Sequence, residues 1–248
     1  MSRGTEAVWD FAAKQATCLA CAPSDQLVAA GTAGASAAAE GERRASRRVE
    51  GVRQKHGDHA AVVAEAMAAS DMAATWGKGS DGERRLADFV EREVGDAVIP
   101  LYDRLIPGTR GNIDFMWVAP TGVWVVDAKA YRGKVVREET GPIWRRDNKV
   151  YVGGRDRTSC AKGVVTQVAA AIAALRPDPA LKGPDVHGAL CFVESEWGLL
   201  DFPFQIGNVW VMYPGALRKR LKKSGSLTRE VMEKIARRLD MSLPRADS

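Results

Sequence analysis

Two β-rich runs lie side by side in the middle of the chain. The first reads Asn112-Ile113-Asp114-Phe115-Met116-Trp117-Val118-Ala119 and the second Gly122-Val123-Trp124-Val125-Val126-Asp127-Ala128-Lys129, with Pro120-Thr121 between them. Apolar strand formers on both sides of a Pro/Thr/Gly turn predict a β-hairpin. A turn centred between Pro120 and Thr121 sets Met116 opposite Val125 and Val118 opposite Val123. The same register carries Asp114 to a place facing Asp127.

Other patterns fill in the surroundings. After Ser80-Asp81-Gly82-Glu83, apolar Leu86, Phe89, Val90 and Val94 recur at helical spacing, which predicts a helix opening there. Residues 97–101 read as a strand, and Pro107-Gly108-Thr109-Arg110-Gly111 as a loop leading into the hairpin. Residues 133–137 and 144–152 read as further strands, 164–175 as an Ala-rich helix ending before Pro177, and 187–193 and 208–212 as later strands. Two basic helices at 216–223 and 228–239 close the chain. Toward the N-terminus, 8–20 reads as a short helix. Residues 37–74, rich in Ala, Arg and Glu and without Pro, read as helical despite Gly41, Gly51 and Gly57. Helix, strand meander, helix and further strand together predict an α/β layer sandwich.

Composition narrows the setting. A chain of 248 residues, 46% hydrophobic and 27% charged, can bury a substantial core in one or two domains. No run approaches the ~18 apolar residues of a membrane span, and the N-terminus has no apolar signal core. Four cysteines in this length do not make a disulfide scaffold, so a reducing cytoplasm is the expected compartment. The net charge of +5 is unevenly spread. Residues 1–79 hold nine basic and nine acidic side chains, whereas 214–248 hold ten against four. The run Arg218-Lys219-Arg220-Leu221-Lys222-Lys223 suits either a phosphate contact or a solvated helix face.

The hairpin carries the candidate chemistry. Directly opposed side chains in an antiparallel pair lie roughly 5 Å apart, and like charges there repel. Asp114 facing Asp127 in an apolar hairpin therefore calls for a cation or a shared proton. Lys129, two residues beyond Asp127, falls on the same strand face. Two carboxylates beside an ammonium suit Mg²⁺, which binds through one or two carboxylates and retains waters. Such an ion activates water and steadies charge on phosphoryl oxygens, with Lys129 orienting or activating the water and contacting the scissile phosphate.

Elsewhere the signals are weaker. Ser80-x-x-Glu83 matches a capping box, in which Glu83 would bond only the helix N-terminus. Gln167, among apolar neighbours on its helix, reads as a surface or satisfied buried amide. Cys18-x-x-Cys21 and His56-x-x-His59 supply four possible zinc ligands, but the gap between the pairs far exceeds that of a compact finger. Cys160 and Cys191 read as core residues.

The order of these pieces resembles a known family. Gly82-Glu83-Arg84, Asn112-Ile113-Asp114 and the run from Gly122 through Asp127-Ala128-Lys129 to Ala130-Tyr131-Arg132-Gly133-Lys134 look like the nuclease-related domain, NERD. That family resembles the PD-(D/E)xK restriction-endonuclease-like nucleases. The resemblance covers roughly residues 76–194. It implies a restriction-endonuclease-like core, with a mixed central sheet of about four or more strands flanked by helices. Asp114 and Asp127 become metal ligands, Lys129 the catalytic lysine, and Glu83 a helix-borne acid facing the same site and sharing the metal. Gln167 matches a glutamine on the helix after the core strands, while Ala171 stands where related nucleases commonly carry a tyrosine.

The expected organisation is a mainly helical N-terminal extension (1–75), a nuclease-like domain (76–213) and a basic helical C-terminal segment (214–248). The expected function is metal-dependent hydrolysis of phosphodiester bonds in nucleic acid, DNA above all, with Mg²⁺ or Mn²⁺ as cofactor and no membrane partner. A homodimer is compatible with the sequence. The alternative is a catalytically weak nucleic-acid-binding or protein-interaction module that keeps the nuclease fold.

Overall fold

The computed structural model describes residues 7–10, 15–18, 28, 30–56, 81–141, 147–176, 183–198 and 201–246. Its centre is a six-stranded mixed sheet in the order β11-β12-β9-β5-β4-β3. The strands are β3 (Ile99–Leu105), β4 (Asn112–Ala119), β5 (Gly122–Lys129), β9 (Val186–Phe192), β11 (Phe204–Ile206) and β12 (Val209–Met212). The pairs β3–β4, β4–β5 and β11–β12 are antiparallel, while β5–β9 and β9–β12 are parallel. A second sheet, β10-β6-β7-β8, joins β6 (Gly133–Thr140), β7 (Asp147–Val152), β8 (Arg155–Asp156) and β10 (Ser195–Glu196).

Helices cover both faces of the large sheet. On one face lie α2, residues 81–94, and α4 (Pro214–Leu221). Leu86, Val90 and Leu217 pack there on Phe115, Trp117 and Val126. On the other face lie α3 (Cys160–Leu175) and α5 (Arg229–Ser242). Leu175, Ile235 and Leu239 pack there on Leu101, Met116, Val118 and Val125. A third cluster joins Val135, Val150 and Val152 of the small sheet to Val164, Leu190 and Phe192. The run of fully buried residues along β4 and β5 follows from this coverage, because a strand buried on both faces reads as continuously apolar.

The central hairpin keeps the expected register over five rungs, including Met116–Val125 and Val118–Val123. Its turn is tied down from several sides. The Trp124 indole donates to Thr121 Oγ1 at 3.0 Å, Leu227 N donates to the Pro120 carbonyl at 3.0 Å, and Val123 N donates to the Asp185 carbonyl at 2.8 Å. The C-terminal helices begin where capping chemistry allows. Pro214 opens α4 in its first turn, and Thr228 caps α5 by accepting from Val231 N.

Three differences from the sequence expectations have physical causes. The helix expected over 8–20 is instead an antiparallel pair, β1 (Ala7–Asp10) and β2 (Gln15–Cys18), with Val8 beside Thr17 and Trp9 beside Ala16. The β-preference of Val, Trp and Thr outweighs the Ala-rich composition there. The strand expected over 97–101 starts later and runs on to Leu105, because Gly95–Ala97 form a 3₁₀ turn first. The N-terminal helical stretch appears as α1 (Ala35–His56), while 57–74 and Trp144 lie outside the described residues. No helix among the described residues is long and apolar enough to cross a membrane.

Gly122 fixes the hairpin's entry into β5. Its φ is +126°, and a Cβ there would fall 2.3 Å from the Asp185 carbonyl oxygen. Gly122→Ala is therefore predicted to destabilise the fold by more than about 1 kcal/mol. Denaturant unfolding measures this directly, and an unchanged midpoint would refute it.

Candidate active site

The site forms where the regular alternation of the sheet breaks down. Along β4, Phe115 and Trp117 belong to the α2/α4 core, while Met116 and Val118 belong to the α3/α5 core. Ile113 should join Phe115 by period-2 alternation, yet it packs in the α3/α5 core. The inversion happens at Asp114. Opposite it on β3, the ladder skips from Tyr102–Phe115 to Arg104–Ile113, and Asp103 has a φ of +49°. On the other side the β4–β5 ladder ends at Phe115–Val126. The Asp114–Asp127 rung expected from the sequence is the next step, and it is not formed as a ladder pair. Asp103, Asp114 and Asp127 thus occupy one level across three neighbouring strands.

Lys129 and Glu83 complete the cluster. Lys129 Nζ donates to Asp127 Oδ1 at 2.5 Å, as period-2 spacing on β5 requires. Glu83 belongs to the first turn of α2, whose adjacent Gly82 lies against Ala130 and Val193 at the ends of β5 and β9. Glu83 is half-buried there, in the field of Lys129, Asp103 and Asp127. Ser80, the other half of the expected capping box, lies outside the described residues.

Burial and crowding set the protonation of these groups. Burial pushes the Asp114 carboxyl well above the usual carboxylate range, and the charges of Asp127 and Glu83 push it further; Lys129 pulls the other way. Burial likewise raises Glu83 to about 7, assisted by Asp103 and Asp127 and opposed by Lys129. Burial alone would lower Lys129, but Asp127 and Asp114 outweigh it and hold the ammonium firmly charged. One ammonium faces four carboxyls.

Two residues organise the carboxyls from behind. Asn112 Nδ2 donates to Asp103 Oδ1 at 2.9 Å and to Asp114 Oδ1 at 3.1 Å. Gln167 Nε2, from α3, donates to the Asn112 carbonyl at 3.0 Å, and its Oε1 is buried without a partner among the described residues. Gln167 is therefore a positioning residue one step removed from the acids. Ala171, a turn further along α3, is fully buried in the core. The sequence reading missed Asp103 and Asn112. Period-2 spacing from Asp114 would have found Asn112, whereas Asp103 lay past the end of the expected strand.

The donor set suits a small hard cation, with one qualification. No group of three or more His, Cys, Asp or Glu among the described residues is arranged to hold a metal as it stands, so ligation by Asp114, Asp127 and Glu83 together is not preformed. An ion on Asp114 and Asp127, with water filling its other positions, is the mode Mg²⁺ favours, and carboxyls with raised pKa values at one place mark a candidate site. The zinc alternative rests on Cys21 and His59, and on the side chains of Cys18 and His56, all outside the described residues. Cys191 is a buried free thiol and Cys160 a half-buried one. The basic C-terminal run is largely tied into the fold. Arg218 pairs with Glu93 at 2.9 Å, Lys222 donates to the Glu93 carbonyl, and Arg220 stacks 3.5 Å over Trp210.

A mixed α/β sandwich with an acidic, lysine-bearing centre beside its main hairpin defines a nuclease-like core. The segment over residues 78–193, a little under half the chain, matches the family model described as the nuclease-related domain, NERD. It contains all the acids above together with Lys129, Asn112 and Gln167; α1, α4 and α5 fall outside it. No curated protein and no solved structure matches the chain.

The raised Glu83 carboxyl has a consequence for stability. Its folded value of about 7 lies above the ordinary 4.5, so between these the folded state binds more protons than the unfolded one. This contribution favours folding at low pH and is lost as pH rises through about 7. In EDTA, Glu83→Gln is predicted to gain melting temperature relative to the native chain between pH 5 and pH 8. A difference that does not change with pH would refute the assignment.

Proposed function

We propose that this protein is a metal-dependent nuclease that hydrolyses phosphodiester bonds in nucleic acid, with DNA as the substrate, by PD-(D/E)xK chemistry. The observation that carries the reading is the placement of Asp127 and Lys129 on one strand, in contact, with Asp114 on the next strand at the same level. A lone buried ion pair explains Asp127 and Lys129. It does not explain why two more carboxyls with raised pKa values converge on the same pair.

Each residue has a role in this reading. Asp114 and Asp127 would hold Mg²⁺ or Mn²⁺, with Glu83 adding negative charge from α2. The chemistry such an ion supplies is activation of water and screening of charge on the phosphoryl oxygens. Lys129 acts as a charged donor. A lysine that serves as a base needs its pKa brought down toward neutrality, and Lys129 is shifted the opposite way. Its ammonium instead orients the attacking water and meets the growing charge on the scissile phosphate. Asn112 holds Asp114 in place, and Gln167 holds Asn112.

One observation favours a second reading. The Lys129–Asp127 contact satisfies Asp127 without a metal, as a catalytically weak binding module would require. Incubation of the purified protein with linear, circular and single-stranded DNA, with Mg²⁺, Mn²⁺ or EDTA, separates the two. Cleavage is predicted to need the metal and to fall at least about 10²-fold in Asp127→Ala and Lys129→Ala, while circular dichroism stays native. Gln167→Ala should cost roughly tenfold, as a change one step behind the ligands does. Absence of cleavage with either divalent metal would overturn the proposal.

A further inference from the structure

The N-terminal helix α1 lies outside the family-matched segment, yet it reaches the acidic centre. Ahead of it, Tyr102 N donates to the Ala30 carbonyl at 2.6 Å. Gly31, with φ +82°, lies so close to β3 that a Cβ would fall 2.7 Å from the Tyr102 carbonyl oxygen. The helix then starts with Ser36 N donating to the Asp103 carboxylate. The extension is thereby fixed to the strand that carries one of the site's own acids.

From that anchor α1 runs along a cleft of about 850 Å³. Ser36, Glu40, Arg43 and Arg47 recur at helical spacing and line one wall, with Arg44 beside them. Arg110, from the loop before β4, lines the same cleft together with Asn112 and Asp114. Arg43 and Arg44 both pair with Glu40, at 3.1 and 2.7 Å. Arg47 and Arg110 have no carboxylate partner among the described residues. Four guanidinium groups against one glutamate leave the α1 and Arg110 lining strongly cationic, next to the acidic Asp114.

We propose that this cleft is the track for the nucleic-acid backbone, with Arg43, Arg44, Arg47 and Arg110 contacting the phosphates that flank the scissile one. The proposal rests on the nuclease reading for the identity of the polyanion. An acidic centre repels a polyanion, so a substrate strand must be held by cations on either side of it. Guanidinium groups match phosphate oxygens in a two-pronged geometry that lysine lacks. The lined stretch from Ser36 to Arg47 spans about 16 Å of helix, comparable to the rise of about five nucleotides of one strand.

The test is binding of a short fluorescein-labelled DNA duplex in EDTA, where cleavage does not contribute, measured across a salt series. Arg43→Gln combined with Arg47→Gln is expected to weaken binding on the order of tenfold or more, and to reduce the slope of log K against log salt by about two. Lys219→Gln combined with Lys223→Gln removes the same charge from α4 and the turn after it and is expected to change neither by a comparable amount. Unaltered binding by the arginine variant, an equal loss in the α4 variant, or no binding by the native chain would each overturn the cleft assignment. If the arginine variant loses binding but the native chain cleaves nothing in Mg²⁺ or Mn²⁺, the track stands and the nuclease reading falls. If the native chain cleaves while the arginine variant binds normally, the nuclease reading stands and the track falls.

Discussion

Lys129 donates to Asp127 in a neighbourhood that holds three further carboxyls, and that imbalance of charge governs the rest of the centre. Removing a carboxylate from water costs several kcal/mol unless a counter-charge or a proton compensates. A single ammonium cannot compensate four. Asp114 and Glu83 therefore hold their protons above the usual carboxylate range, and under the proposed function a bound cation would serve the same end. The same crowding keeps Lys129 charged.

A cluster of this kind needs a frame that does not relax. The hairpin turn is held from α5's approach through Leu227, and from the loop before β9 through Asp185. The backbone also carries local strain. A non-glycine residue at positive φ costs about 1–3 kcal/mol unless its surroundings compensate, and Asp103 at +49° receives both the Ser36 amide and the Asn112 amide. Aspartate is among the few residues that enter this region at all readily. The positive-φ residue Asp103 in β3 and the alternation break at Asp114 occur at the same level of neighbouring strands. Breaking the pleat there lets side chains from β3, β4 and β5 meet a helix-borne glutamate at the end of the sheet, which a regular ladder would not permit.

The parts legible in the sequence are those governed by local pattern. Hairpin register followed from the turn and from apolar pairing, and it held at Met116–Val125 and Val118–Val123. The helices expected over 164–175 and 228–239 were equally local, and α3 and α5 form there. Residues 8–20 misled because alanine content outweighed the few strand formers that in fact pair, Val8 with Thr17 and Trp9 with Ala16. Asp103 could not be read at all. Its place in the cluster depends on a positive φ and on contacts from Ser36 and Asn112, at separations of 67 and 9 residues. Gln167 was legible only through resemblance, because its contact is with a backbone carbonyl 55 residues away.

Charge distribution gives the last step. Summed over sequence, the basic excess belongs to the C-terminal 35 residues, and the first 79 cancel to zero. In space the assignment reverses. Three members of the C-terminal run are engaged by Glu93 and Trp210, and they serve to attach α4 to α2 and to the sheet. In the N-terminal segment the cancellation is only arithmetic, because helical periodicity gathers Arg43, Arg44 and Arg47 on one face with a single glutamate. Net charge determines long-range steering, whereas contact with a phosphate depends on which side chains share a surface. A segment that sums to zero thus contains a basic helix, and that helix puts cations beside the acids.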